Sequence, residues 1–264
     1  MTELNAETTR RAIVEHTRRL AEAAAAAGPG AAVPTAPKWT VTELVAHVGQ
    51  TQHWVAEIIE RRITDPTQLP AEMAVPPADS GEWPEWLSAS AQRVANACSD
   101  DALAAPVFNA AGDERSGGQF WMTSMLNEAV VHGFDAAHAA NRPAEVEADI
   151  AAALIGNHLA MLTSPTWTMQ RPESAQAIRG TGQTLLWQAT DAEAAWFVER
   201  RPEGAAWQPG TRAADVTVTG PARSLLQVLT RRLPLSDGET AGLGIDGDTG
   251  LAQHWVDNTA HASD

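Results

Sequence analysis

The chain has 264 residues, a formal net charge of −15 at pH 7 and a pI near 4.9. An acidic chain without a basic patch is poorly suited to bind nucleic acid or an anionic membrane, so neither partner is expected. The single cysteine, Cys98, excludes an internal disulfide and a zinc site built from several cysteines. The N-terminus has no apolar signal region, and no stretch approaches a membrane span, so we expect a cytoplasmic protein.

Hydrophobic periodicity predicts an antiparallel helical bundle in the first 163 residues. The second helix has the clearest start, because Thr40 as N-cap and Glu43 three residues later form a capping box pattern. Loops are expected over 62–82 and 99–118. The predicted helices cover residues 6–27, 39–60, 83–98, 119–140 and 145–162.

The pattern changes after residue 163, where short runs of strand character separated by turn residues replace the long helices. A helix is expected over 221–234 and a short one over 250–259. These features predict an α+β protein of two domains, residues 1–163 and residues 164–264. The predicted strands cover residues 182–191, 194–202, 214–220 and 243–248.

The stretch "NEAVVHGFDAAHAA", residues 127–140, places Glu128 and His132 four residues apart on one face of a helix. Alone, such a pair is most often a surface pair. His47 lies on the inward face of the second helix and supplies another imidazole, so His47, Glu128 and His132 form a candidate three-ligand set. Two imidazoles and one carboxylate suit a divalent metal with open coordination positions, which catalysis requires.

Other side chains are weaker candidates. Asp135, one turn after His132, is either an acceptor for an imidazole N–H or a solvated helix charge. Cys98 is expected to be a buried, inert thiol. Arg231 and Arg232 end a predicted helix, where the helix dipole favours cations and where an arginine can also bind a substrate carboxylate.

The stretches "WTVTELVAHVG" and "NEAVVHGFDAAHA" together resemble the mycothiol-dependent maleylpyruvate isomerase family of actinobacteria. The stretches "DVTVTGPARSLLQVLTRRLPL" and "IDGDTGLAQHW" resemble the C-terminal domain of that family. The resemblance implies a DinB-like four-helix bundle followed by a small α+β domain similar to sterol-carrier folds.

The same resemblance implies a metal, usually zinc, held by His47, Glu128 and His132, with the thiol mycothiol as cosubstrate. It also implies that an arginine of the C-terminal domain binds the substrate acid. Arg231 is the best match and Arg232 the next, although "TRRLP" departs from the Gly-Arg that the family pattern has there.

The prediction is therefore a zinc-dependent enzyme, a monomer or weak dimer, that activates mycothiol as a thiolate for attack on a small electrophile. Addition followed by bond rotation and elimination gives isomerisation, whereas addition or displacement alone gives an S-conjugate; the metal ligands are the same for both. The alternative is a non-enzymatic small-molecule binding protein on the same scaffold, with Trp54 and Trp121 lining an apolar pocket.

Overall fold

The computed structural model describes residues 4–259, which fold as two compact units. One unit comprises residues 5–145, and the other comprises residues 146–259 together with Leu4. The last five residues of the predicted second domain, 260–264, and the first three of the chain lie outside the described residues.

Residues 5–145 form a bundle of four long helices and one short helix. In chain order these are α1 (Ala6–Ala27), α2 (Val41–Glu60), α3 (Trp83–Ala97), α4 (Asp100–Ala104) and α5 (Gly117–Ala139). Helices α1 and α2 each pack against both α3 and α5, so α1 and α2 occupy opposite corners of the bundle. The predicted bundle is confirmed, but the predicted loop 99–118 is partly wrong, because Ser99 caps the short α4 within it.

The start of α2 is fixed by the capping box that the sequence predicts. The backbone N–H of Thr40 donates to Glu43 Oε2 at 2.8 Å. Further along α2, apolar side chains at helical spacing are fully buried in the bundle core, and Thr51 on the same face is half-buried. The fully buried side chains are Leu44, Val48, Val55 and Ile58.

A buried polar network joins three helices at the centre of the bundle. Gln52 Nε2 donates to Thr17 Oγ1 at 2.8 Å, and Ser90 Oγ donates to Gln52 Oε1 at 2.6 Å. All three side chains are fully buried, so their mutual hydrogen bonds are what makes their burial tolerable. The network fixes the relative register of α1, α2 and α3.

The segment between α1 and α2, residues 28–40, folds back on itself. Val33 N–H donates to Trp39 O at 3.0 Å, and Val41 N–H donates to Ala31 O at 2.9 Å. These bonds close a loop that holds Thr35 and Trp39 against the bundle, beside the first turns of α2.

Residues 146–259 combine helices with a mixed five-stranded sheet. The strand order is β3-β2-β1-β4-β5, in which β1 and β4 are parallel and all other neighbours are antiparallel. The last helices pack on the sheet, α9 against β1 and β4 and α10 against β4. The elements are α6 (Ala148–Leu162), α7 (Pro165–Gln170), α8 (Pro172–Ala177), β1 (Thr184–Ala189), β2 (Ala195–Arg201), β3 (Gly204–Pro209), β4 (Val216–Gly220), α9 (Ala222–Leu229), β5 (Gly244–Gly247) and α10 (Thr249–Asn258).

The sequence placed the domain boundary after residue 163, whereas the compact units divide between Glu145 and Val146. The difference is helix α6, which packs against α9 and therefore clusters with the second unit. Periodicity predicts that α6 exists, but the helix is apolar on most of its surface, so its pattern does not reveal its packing partner. Among the described residues, no helix is both long and apolar enough to cross a membrane.

Candidate metal centre

Helices α2 and α5 bring together the three predicted ligands. His47 Nε2 of α2 lies 2.9 Å from Glu128 Oε2 of α5, and His132 Nε2 lies 3.1 Å from the same oxygen. The side chains of His47, Glu128 and His132 are 36%, 26% and 12% exposed, so the cluster opens to solvent on the His47 side. One ligand atom from each residue lies within 4.8 Å of the others.

Asp135 orients His132 from behind the cluster. Its carboxylate accepts a hydrogen bond from His132 Nδ1 at 2.8 Å, which directs Nε2 of the same ring toward Glu128. The Asp135 side chain is fully buried and also accepts a hydrogen bond from the Thr35 hydroxyl. The interpretation of Asp135 as a solvated helix charge is therefore wrong, and its role as acceptor for an imidazole N–H is confirmed.

Trp39 packs on both imidazoles from the loop between α1 and α2. Its ring centroid lies 5.0 Å from that of His47 and 5.7 Å from that of His132, on which it is stacked at 28°. The two imidazoles meet edge to face at 4.9 Å. The sequence predicts for Trp39 only a place at the start of α2, and no pattern in the sequence indicates that Thr35 reaches Asp135.

The cluster holds opposite charges in close contact. Burial opposes ionisation of Glu128, but hydrogen bonds from His132 and His47 outweigh it and hold the pKa of that carboxyl well below its usual range. Burial likewise disfavours the His132 cation, but the hydrogen bonds to Asp135 and Glu128 raise its pKa to about 9. In the metal-free protein, an ionised Glu128 therefore faces a protonated His132.

This donor set fits a divalent metal ion. Imidazole nitrogen and carboxylate oxygen are common zinc ligands, and three protein ligands leave coordination positions for a substrate atom. The Asp135–His132 contact matches the carboxylate–imidazole pairing that usually supports a metal-binding histidine. His47, Glu128 and His132 are the residues that would hold the ion.

Two protein-family models match the sequence, one in each half of the chain. Residues 10–137 match the family model described as mycothiol maleylpyruvate isomerase N-terminal domain, and residues 166–257 match the SCP-2 sterol transfer family. The chain belongs to the mycothiol maleylpyruvate isomerase family. The predicted fold, a DinB-like bundle followed by a sterol-carrier-like α+β domain, is thereby confirmed.

Two solved structures of the family share this fold. They are a mycothiol-dependent maleylpyruvate isomerase and a histidine-to-alanine mutant of that enzyme, with TM-scores of 0.58 and 0.59. Each is 15% identical in sequence, and each alignment covers 93% of this chain and 95% of the other chain. At that identity the likeness shows the fold alone. No curated protein matches the sequence significantly.

Arg231 and Arg232, the two predicted substrate-binding arginines, follow the end of α9 at Leu229. Arg231 has a backbone φ of 60°, the left-handed conformation that glycine adopts most easily at the end of a helix. The backbone at Arg231 therefore suits a glycine, and which of the two arginines binds a substrate acid stays a prediction. The Arg231 side chain is exposed and lines a cavity of about 290 Å³ in the second unit, whereas Arg232 is half-buried.

The remaining candidates take structural positions. Cys98 is fully buried at the end of α3, and burial raises the pKa of its thiol to about 12. Trp54 and Trp121 meet edge to face, with ring centroids 5.5 Å apart. Trp121 is buried and Trp54 half-buried, and both indole N–H groups donate to backbone carbonyls, Trp54 to Pro70 and Trp121 to Phe108.

Proposed function

We propose that this protein is a zinc-dependent enzyme that uses mycothiol as a nucleophile toward a small electrophile. The observation that carries the proposal is the convergence of His47 Nε2 and His132 Nε2 on one oxygen of Glu128, with Asp135 behind His132. Membership of the isomerase family supports mycothiol as the thiol. A thiol cosubstrate requires a reducing compartment, so we place the enzyme in the cytoplasm.

Each residue of the site has a distinct task. His47, Glu128 and His132 would hold the metal, and a bound divalent ion would lower the pKa of the thiol so that the thiolate predominates at neutral pH. Asp135 keeps the proton of His132 on Nδ1, which leaves Nε2 free to act as a ligand. Trp39 covers the imidazole faces and excludes water from that side of the site.

The thiol sulfur then forms a bond to an electrophilic carbon of the substrate. If that carbon belongs to an activated double bond, addition produces a single bond that rotates, and elimination of the same thiol returns the isomerised double bond. If the adduct takes up a proton on carbon, which replaces the proton lost by the thiol, its release gives an S-conjugate. Displacement of a leaving group by the sulfur also gives an S-conjugate. We propose Arg231 or Arg232 as the residue that binds a carboxylate of the electrophile.

Elemental analysis of the purified protein beside its Glu128→Ala variant tests the proposal. About one zinc ion per chain is expected in the parent and none in the variant, because two imidazoles alone form an incomplete zinc site. Thiol-dependent turnover should disappear together with the metal. A parent protein that holds no metal even after zinc is supplied would overturn the proposal.

The alternative, a non-enzymatic binding protein, is tested with the variant His132→Ala, in which the proposed enzyme should lose its thiol-dependent turnover. Binding of a small molecule would survive that substitution, and no thiol would be consumed or turned over. The buried position of Trp121 gives this alternative little support, because a buried ring packed against Trp54 belongs to the bundle core.

A further inference from the structure

Two contacts fix how α2 and α5 run past each other. At one end, His47 meets Glu128 and His132, and seven residues further along α2, Trp54 meets Trp121. Because Trp121 precedes Glu128 in the sequence, the helices are antiparallel. Seven residues of helix separate the two ends by about 10 Å.

Thr51 and Ser124 lie between these ends, and we call this pair of residues the polar strip. Thr51 follows His47 by four residues and precedes Trp54 by three, and Ser124 stands likewise between Trp121 and Glu128. Both side chains are half-buried. The apolar side chains that neighbour Thr51 on α2, Val48 and Val55, are fully buried, so the bundle core stops short of the strip.

The polar strip carries hydroxyl groups and no charge. Between the two ends, neither helix contributes an ionisable side chain other than His53, which packs against Trp86 and faces Arg93 on another side of α2. The Ser124 hydroxyl donates to Phe120 O at 2.8 Å and so offers its lone pairs. Among the described residues, the Thr51 hydroxyl has no hydrogen-bond partner.

At the end away from His47, the polar strip is bordered by the rings of Trp54 and Trp121. The indole N–H groups of Trp54 and Trp121 are already bonded to Pro70 O and Phe108 O, at 2.9 and 2.8 Å. The half-buried Trp54 therefore offers ring carbon rather than a donor. Neutral hydroxyl groups beside an aromatic ring suit a ligand that has hydroxyl groups on its edges and C–H bonds on its faces.

We propose that the polar strip binds the part of the thiol cosubstrate that does not react, and that this part is uncharged and rich in hydroxyl groups. The inference rests on the proposed function, because the sulfur must lie at the metal for the rest of the thiol to reach the strip. A charged extension would lose hydration there without gaining a counter-ion from the stretches of α2 and α5 that lie between the two ends.

Calorimetric titration of the zinc-loaded protein with three thiols tests the inference without any electrophile. Mycothiol joins its cysteine to two hydroxyl-rich rings, N-acetylcysteine lacks them, and glutathione carries charged groups instead. The variants are Thr51→Leu and Ser124→Leu, which fill the strip independently, and Thr123→Leu serves as control because Thr123 is half-buried on another face of α5. Zinc content is measured for each protein.

The parent should bind mycothiol more tightly than the other two thiols. Each strip variant should lose about tenfold or more in mycothiol affinity, with zinc content and N-acetylcysteine affinity unchanged and the Thr123→Leu control like the parent. Unchanged mycothiol affinity in both strip variants would overturn the inference, as would a preference for glutathione over mycothiol. Absence of any thiol binding to the zinc-loaded parent would instead overturn the proposed function and the inference together.

Discussion

At the scale of single residues, the buried carboxylate of Asp135 orients the imidazole of His132. Asp135→Asn keeps the shape of the side chain but removes the charge that orients His132. We expect zinc affinity to fall about 10- to 100-fold, the usual effect of losing such a partner. Competition with a chromogenic zinc chelator measures this affinity, and Asp101→Asn, at an exposed position on α4, is the control. Equal affinities for the two variants would contradict the assigned role.

The thiol of Cys98 should be unreactive in the folded protein. Its pKa is raised to about 12 by burial, so the thiol stays protonated at mildly alkaline pH, and the protonated form is a poor nucleophile. A thiol-reactive dye should leave the folded protein unlabelled and should label one site in concentrated guanidinium chloride. Rapid labelling of the folded protein would show that Cys98 is accessible.

At the scale of elements, Gly49 lets α2 and α3 approach each other. A Cβ atom at position 49 would lie 2.2 Å from Cζ3 of Trp86. Gly49→Ala should therefore cost about 1–3 kcal/mol of unfolding free energy, which exceeds the gain of up to about 1 kcal/mol in helix propensity. Denaturant titration measures the net change in unfolding free energy.

Gly133→Ala in α5 is the matched control for that substitution. No heavy atom lies within 4 Å of a Cβ built at position 133, so only the helix propensity changes. Unfolding free energy should rise by about 0.5–1 kcal/mol. If Gly49→Ala were stabilising to the same extent, the close packing of Trp86 on α2 would be refuted.

The elements also show what the sequence can predict and what it cannot. The long helices lie close to their predicted bounds because periodicity and caps such as Thr40 with Glu43 are local signals. The sequence does not predict strand β3, because "GAAWQP" is rich in alanine and glycine and ends in proline; its pairing with β2 decides its structure. The sequence does not predict the short helices α7 and α8 either, because each spans only six residues, too few to show a helical period.

The residues of the candidate site likewise fall into those that local sequence signals predict and those that they do not. Glu128 and His132 are detectable because a helix places residues four apart on one face, and His47 follows from the same periodicity in α2. Trp39 and Thr35 belong to a loop, and their contacts with the cluster depend on how residues 28–40 fold back on the bundle. No local signal in the sequence encodes that path.

At the scale of the whole molecule, metal binding should depend on pH. In the metal-free protein His132 holds a proton with a pKa of about 9, raised from 6.5, and zinc must displace that proton to bind Nε2. The apparent zinc affinity should therefore rise from neutral pH to about pH 9, by up to about tenfold per pH unit, and level off above it. Chelator competition at a series of pH values checks the slope, and a flat profile would contradict it.

The division into units leads to a second whole-molecule prediction. The three candidate ligands and their supporting residues, Thr35, Trp39 and Asp135, all lie within residues 5–145. A chain that ends at Glu145 should therefore still bind about one zinc ion. Elemental analysis gives the zinc content, and circular dichroism shows whether the shortened chain is helical. A helical fragment that binds no zinc would show that the ligands need the second unit.

The loop that carries Thr35 and Trp39 also restricts how the length of the chain can change during evolution. Thr35 contacts the carboxylate behind His132, Trp39 covers both imidazoles, and the capped start of α2 sets the direction in which His47 points. One residue inserted between Thr40 and His47 would turn His47 by about 100° away from Glu128. Insertions and deletions should therefore be absent between Thr35 and His47 in metal-binding relatives, whereas the exposed turn around Pro66 can vary in length.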